Sequence, residues 1–458
     1  MTTLEAPDAE SRLDAFKALI EGIRWHGEPQ YLQLRSRDYY WYSPILKEQL
    51  DDKRADIIVL PSTEDEVERV AAAAVRCHLP LTLRGGGTGN YGQCVPLEGG
   101  IVMDLTRLDK VLSIEDGHVR VEAGARIARL DNAVQETGQE LLMYPSTRTI
   151  ATIGGFVAGG SGGIGSLRHG MLRDAGNVDY VKVVTLEAEP RCIELRGTDV
   201  QKVHHAYGTN GIILEVGLGL APATDWIHTA ALFDGYDRAL QFCLDACDTG
   251  LDLYLLTCVE RRFSPYYRKF GDRFPPDRDA VIAMVAPQHM QAFRDEVEKR
   301  GGSVSFSLRK PELSDAGLQP AYEYGWNHTT LQALKVDKSW TYLQVACPAP
   351  FDPALAMRQM ERYGDEIYWH HEFARMGGHL QVFTLPLVRW RGADRIETVM
   401  AEIEDDGCTV FNPHVVTIEE GGMKQIDEAQ IAFKRQADPH GLMNPGKTLG
   451  WTEDMARL

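Results

Sequence analysis

Leu83-Arg84-Gly85-Gly86-Gly87-Thr88-Gly89-Asn90-Tyr91-Gly92 follows directly on a short apolar strand, Leu81 to Leu83, and it decides the fold. Glycine accepts positive φ and lets backbone approach a ligand closely, so a glycine run after a strand presents consecutive N–H groups to a phosphate. Upstream, Ile57 to Leu60 forms a strand stopped by Pro61, and Thr63 and Glu66 have capping-box spacing. Val67, Val70, Ala71, Ala74 and Val75 then mark one face of a helix. The unit is strand, helix, strand, glycine loop. A second small-residue segment, Thr152 to Ser166, repeats the theme, and 19 of the chain's 43 glycines fall between Arg84 and Gly176.

The surroundings read as α+β. An amphipathic helix is expected near Leu13 to Ile23, and the aromatic run Tyr39-Tyr40-Trp41-Tyr42 is expected to pack an N-terminal arm onto the body. Strands are expected at 101–105, 111–115, 119–122, 178–186 and 212–220, with a helix through Ile127, Leu130 and Val134 that ends at Gly138. Beyond Pro222 the glycine clusters thin out, Trp, Tyr and His accumulate, and strands at 342–346 and 379–385 suggest a second domain.

Composition removes other classes. The 458 residues are 44% hydrophobic, enough for a large core, and the net charge of −18 argues against nucleic acid, whose phosphates it repels. No apolar run reaches the roughly 18 residues of a membrane span, and the acidic first residues differ from a signal peptide, so a cytoplasmic protein is expected. The eight cysteines include no Cys-x-x-Cys pair; Cys243 and Cys247, one helical turn apart, read as ordinary thiols. Gly441 to Thr448 fits the P-loop expression, but neither a preceding strand nor a sufficient following helix accompanies it. The dinucleotide fingerprint Gly-x-Gly-x-x-Gly fails at Asn90.

Four segments in order carry a resemblance: Leu83 to Gly92; Pro145-Ser146-Thr147 with Ala151-Thr152-Ile153-Gly154-Gly155, Gly162-Gly163 and Gly170; Gly208-Thr209-Asn210-Gly211-Ile212-Ile213; and Asp438 to Lys447. The arrangement resembles the vanillyl-alcohol oxidase and para-cresol methylhydroxylase superfamily of FAD-linked oxidoreductases, in particular its glycolate oxidase and D-lactate dehydrogenase branch. The resemblance implies an α+β fold: a two-part PCMH-type FAD-binding domain plus an α+β cap with an antiparallel sheet. The divisions it suggests are an N-terminal arm (1–50), the FAD domain (51–224), the cap or substrate domain (225–415) and a C-terminal return (416–458).

The resemblance further implies that FAD is held by Arg84, Gly85, Gly86, Gly87, Thr88, Gly89, Asn90 and Tyr91, and by Pro145, Ser146, Thr149, Thr152, Ile153, Gly154 and Gly155. Ser161, Gly162, Gly163, Gly165 and Ser166 continue the cradle, Gly211, Ile212 and Ile213 meet the adenine side, and Asn444 and Lys447 approach from the C-terminal return. Relatives with tethered FAD often carry histidine where Gly87 stands, or a cysteine where Thr147 to Thr149 stand; noncovalent FAD is therefore expected. Hydroxy-acid relatives also bind a metal through two histidines and a Glu-His-Gly segment. This chain reads Gly377-Gly378-His379 and Glu419-Glu420-Gly421-Gly422 instead, so no metal is expected.

FAD carries the electrons, which leaves the protein to place a C–H bond and accept a proton, work suited to histidine. The expected reaction oxidises a hydroxy acid or alcohol CH–OH group, with a phenolic or benzylic alcohol as the alternative substrate and an electron-transfer or binding subunit as the remote one. Candidate catalytic residues are His379, which on a strand would share a face with Gln381 and Phe383, His414, the following Glu420, and Tyr91, where phenol-oxidising members can use a tyrosine. Arg375, Tyr324 and His371 are the substrate-binding candidates, and Tyr322 and Trp326 are further aromatics that could stack. The expected partners are a small-molecule substrate and oxygen or another electron acceptor; a homodimer is compatible with the sequence.

Overall fold

The computed structural model describes residues 9–450 except Ser161, Met423 and Gln425. The capping signal at Thr63 works as read: its side chain accepts from Glu66 N, and helix Glu64–Arg76 buries Val67, Val70, Ala71 and Ala74. The Glu66 carboxylate closes the turn one residue earlier than a standard box, on Ser62 N at 2.6 Å. That helix covers a four-stranded sheet ordered Trp25–His26, Ile57–Val59, Ile101–Asp104, Leu81–Arg84, whose last three strands are parallel. The first helix is Ala9–Leu19 rather than 13–23, and the chain turns away at Gly22, where φ is +86°.

An antiparallel sheet of six strands follows. Its path is Val111–Glu115, His118–Glu122, Ile212–Pro222, Val178–Val184, Cys192–Arg196, with Gln139–Leu141 pairing on the end of the long central strand. The strand from Val178 stops at Val184, short of Leu186, whose amide instead meets the carbonyl of Ala437. These two sheets flank the small-residue segment, which contains helix Ile153–Gly159.

Residues 227–411 supply a separate eight-stranded antiparallel sheet, ordered Ser303–Arg309, Ile227–Phe233, Asp279–Val285, Leu253–Val259, His370–Met376, His379–Thr384, Gln344–Ala346, Thr409–Phe411. Helices Tyr236–Asp248 and Met290–Lys299 bury their apolar faces on it, with Cys243 and Cys247 inside that core. The expected strand 342–346 is broken in two. Trp340–Tyr342 pairs with Leu387–Arg389 in a three-stranded sheet, whereas Gln344–Ala346 joins the large one. The opposing segment has the matching break, since Pro386 between strands His379–Thr384 and Leu387–Arg389 has no N–H to continue a ladder.

Near its end the chain meets the strand that feeds the glycine loop. Met443 bridges Leu81 in parallel, and Asn444 N donates to Leu81 O at 2.8 Å. Among the described residues no helix is long and apolar enough to cross a membrane.

Candidate functional site

One cavity lies where the glycine loops meet the large sheet. Its first wall is backbone. Strand Leu81–Arg84 delivers the chain into Gly85 to Tyr91, all seven residues of which line the cavity. Gly87 holds φ +64°, and a Cβ there would strike the Arg84 guanidinium. At Gly86 a Cβ would strike the carbonyl oxygen of Ile150, and at Gly163 that of Tyr144. Neighbouring main chains are therefore packed so closely that only hydrogen fits, which leaves amides rather than side chains at the surface. Pro145, Ser146, Thr152, Gly154, Gly155, Gly162, Gly163, Gly211 and Ile213 complete this wall. Thr152 caps helix Ile153–Gly159, accepting from Gly155 N.

Several expected cradle residues stand elsewhere. Thr149 is exposed in its turn, and Ile153 points into the core because the helix turns Gly154 and Gly155 to the cavity. Gly165 packs against Tyr254, and Ser166 sits behind the loop, its Oγ accepting from Gly163 N at 2.9 Å. Ile212 faces the opposite side of its strand from Ile213 and belongs to the core of the parallel sheet. Asn444 and Lys447 are buried outside the lining and act as struts. Asn444 Nδ2 donates to the carbonyls of Gln93 (2.8 Å) and Tyr207 (2.6 Å), and Lys447 Nζ donates to Gly92 O at 2.6 Å. Lys447 thus braces the glycine loop and holds no phosphate loop of its own. Ser161 lies outside the described residues.

The N-terminal arm contributes more than packing. Tyr39 N donates to Gly89 O at 2.6 Å, Arg84 Nη1 donates to Arg37 O at 2.5 Å, and Asp38, Tyr39 and Tyr42 all line the cavity. Asp38 is fully buried with Oδ2 unpartnered; burial raises its carboxyl to about 6, against the pull of Tyr40 N–H and the Lys447 and Arg84 charges.

The second wall is made of side chains: Trp326, Asn327, His328, Gln344, Val345, Phe383, Leu385 and Phe411. His328, in the first turn of helix Asn327–Leu334, is 8% exposed and has Nδ1 3.1 Å from the Glu323 carboxylate. Two bonds fasten this wall to the glycine loop, Asn90 Nδ2 to Tyr342 Oη at 2.6 Å and Tyr91 Oη to Gln344 Oε1 at 2.9 Å.

The histidines singled out from sequence are not among the lining residues. His379 does share a strand face with Phe383, but it is exposed at the hairpin tip beside Gly377-Gly378. Four residues along a strand is about 13 Å, so the parity is right and the reach is wrong. His371 is buried on the opposite face, its Nδ1 2.7 Å from Tyr236 Oη. His414 is buried against Ser43 Oγ at 2.7 Å. Glu420 is exposed and paired with Thr417, and Arg375 is tied to Cys247 O. Tyr324 lies in the aromatic core with Tyr267 and Phe270. Of that group only Tyr91 reaches the cavity, where its hydroxyl is already engaged and burial holds it far from ionisation. Sequence reasoning missed His328, Asn327 and Gln344. The one local cue was Gly325-Trp326 ahead of a helix.

The residues present suit a dinucleotide whose phosphates are met by uncharged amides. That lining agrees with what the matches to known proteins show, an FAD-linked oxidoreductase with a PCMH-type fold. Residues 55–191 match the model of an FAD binding domain family. The chain is 25% identical over 435 residues to glycolate oxidase subunit GlcD of Bacillus subtilis (strain 168), covering 86% of this chain and 88% of that one. It is 30% identical over 167 residues to D-lactate dehydrogenase of Archaeoglobus fulgidus, which it matches over only 36% of that protein's length. Among solved structures, alkyldihydroxyacetonephosphate synthase superposes with a TM-score of 0.73 at 15% identity, covering 98% of this chain and 86% of that one. Chitooligosaccharide oxidase does so with 0.66 at 12% identity, covering 94% and 97%.

Proposed function

We propose that this protein oxidises the CH–OH group of a hydroxy acid or alcohol to the carbonyl. The carrying observation is the shared cavity: a backbone cradle suited to FAD faces, across a few side chains, the buried His328 with Glu323 behind it. The names of two relatives, a glycolate oxidase subunit and a D-lactate dehydrogenase, support a hydroxy acid. Bound FAD supplies the acceptor for the substrate's hydride. The chain's own part is to hold the hydroxyl at His328, which takes its proton, and to shield the site from water. Glu323, 3.1 Å from Nδ1, offsets the positive charge the proton brings.

Asn327 and Gln344 are the polar groups that would orient the rest of a substrate, and Trp326, Phe383, Leu385 and Phe411 form its apolar bed. Those aromatics, with Tyr39 and Tyr42, favour a benzylic alcohol as the second reading. The cofactor is read as noncovalent, so acid precipitation should leave a yellow supernatant. Anaerobic mixing with D- and L-hydroxy acids and aromatic alcohols tests the main reading: bleaching by members of either class supports it, and a flavin that no CH–OH compound bleaches defeats it.

A further inference from the structure

The second wall of the cavity begins at a turn its own backbone does not favour. Trp326 holds φ 53° and ψ −140°, a region that bulky residues enter only when their surroundings impose it. The surroundings here are Glu372. This residue is wholly buried, its Oε1 accepts the Trp326 backbone N–H at 2.5 Å, and Oε2 lies 2.5 Å from the Thr257 hydroxyl on the paired strand. The Trp326 amide sits where helix Asn327–Leu334 starts, among N–H groups with no partner inside the helix. A carboxyl from another element satisfies it, and the chain beyond, Asn327 and His328, then enters the cavity wall.

None of the other titratable groups that face Glu372 among the described residues is a cation. His370 on its own strand has Nε2 at 3.7 Å, and burial lowers it to about 3. Cys243, from the helix covering the sheet, and Tyr267 also feel its charge, and burial pushes both up, so they stay neutral. Burial pushes Glu372 itself up to about 8. Near neutral pH it is therefore a carboxylic acid whose proton can serve the Thr257 contact while Oε1 remains an acceptor for Trp326.

We propose that Glu372 is a positioning residue: its buried carboxyl pins the strained Trp326 turn and so sets the direction in which Asn327 and His328 enter the cavity. The functional consequence rests on reading this cavity as the substrate site. The test uses Glu372→Gln, which keeps one acceptor and one donor, and Glu372→Leu, which keeps the shape alone, each also made with Trp326→Phe so that Trp326 emission is obtained by difference in flavin-free protein. Glu372→Gln is expected to keep the Trp326 emission and to bleach with KM within about twofold of wild type. Glu372→Leu is expected to shift the emission and raise KM about tenfold or more at unchanged flavin occupancy.

Unchanged emission and KM in Glu372→Leu, or equal damage in both variants, would overturn the proposal. If Glu372→Leu does not fold, Thr257→Val decides: removing the outer contact should shift the emission in the same direction by less, and no shift overturns it. Should no compound bleach wild-type flavin, the oxidation reading falls, while the emission comparison still decides the role of Glu372.

Discussion

On one side of the cavity stand Gly85, Gly86, Gly154 and Gly163, whose use lies in having no side chain; on the other stand Trp326, His328, Gln344 and Phe383, whose use is nothing else. The first side comes from three stretches, 85–91, 145–163 and 211–213, each compact in sequence. The second is gathered from a helix start and three strands of the large sheet. On the proposed reading a cofactor common to many enzymes is met by backbone, which no substitution short of a clash alters. On the same reading a particular substrate is met by side chains that can change one at a time without disturbing the cradle.

Substitutions on the two sides should therefore fail differently. Gly86→Val or Gly163→Val drives a side chain into a carbonyl oxygen, and the expected result is protein that emerges from gel filtration without flavin; a costly overpacking of about 3 kcal/mol already corresponds to about 100-fold in FAD affinity. Normal yellow protein would break the distinction. His328→Asn should retain its flavin yet slow anaerobic reduction by about 100-fold or more, whereas His379→Ala should match wild type. The reverse pattern would move the chemistry to the hairpin tip.

Smaller effects sharpen the comparison. Glu372 is raised from an ordinary 4.5 to about 8 by burial. Between those values the folded state keeps a proton the unfolded state has lost, so its contribution to stability falls as pH rises from about 4.5 to about 8, by at most about 1.4 kcal/mol per pH unit. Urea melts at pH 5 and pH 8 should show wild type losing ground to Glu372→Gln over that interval; parallel behaviour would contradict the assignment. Tyr91→Phe removes one hydrogen bond, to Gln344, and should cost about 1 kcal/mol while leaving flavin reduction nearly unchanged. A collapse in rate would restore Tyr91 as a reacting group.

The glycine side of the cavity was largely legible because a requirement for hydrogen at Cβ is written locally: Gly85 to Gly89 and Gly162-Gly163 line it as their clustering suggests. Ile153 and Ile212 were misplaced by one residue of helix or strand phase, which a motif does not carry, and Thr149 sits in an exposed turn. The other side was not legible. His328 earns its place only because strand His370–Met376 sets Glu372 against Trp326, a meeting across 46 residues that no spacing rule anticipates. His379 and His371 were chosen for their chemistry; one lies beyond the end of the cavity and the other faces the helices on the far side of the sheet.

The bridge between Leu81 and Met443 also orders events in time. Asn444 joins Thr82, Gln93 and Tyr207, so the strand that feeds the glycine loop, though paired early with Ile101–Asp104, lacks the contact on its other edge until some 360 further residues have been synthesised. At roughly 5 to 20 residues per second, that is a wait of tens of seconds or more on the ribosome. The braces that Asn444 and Lys447 give the glycine loop are therefore among the last contacts the chain can make.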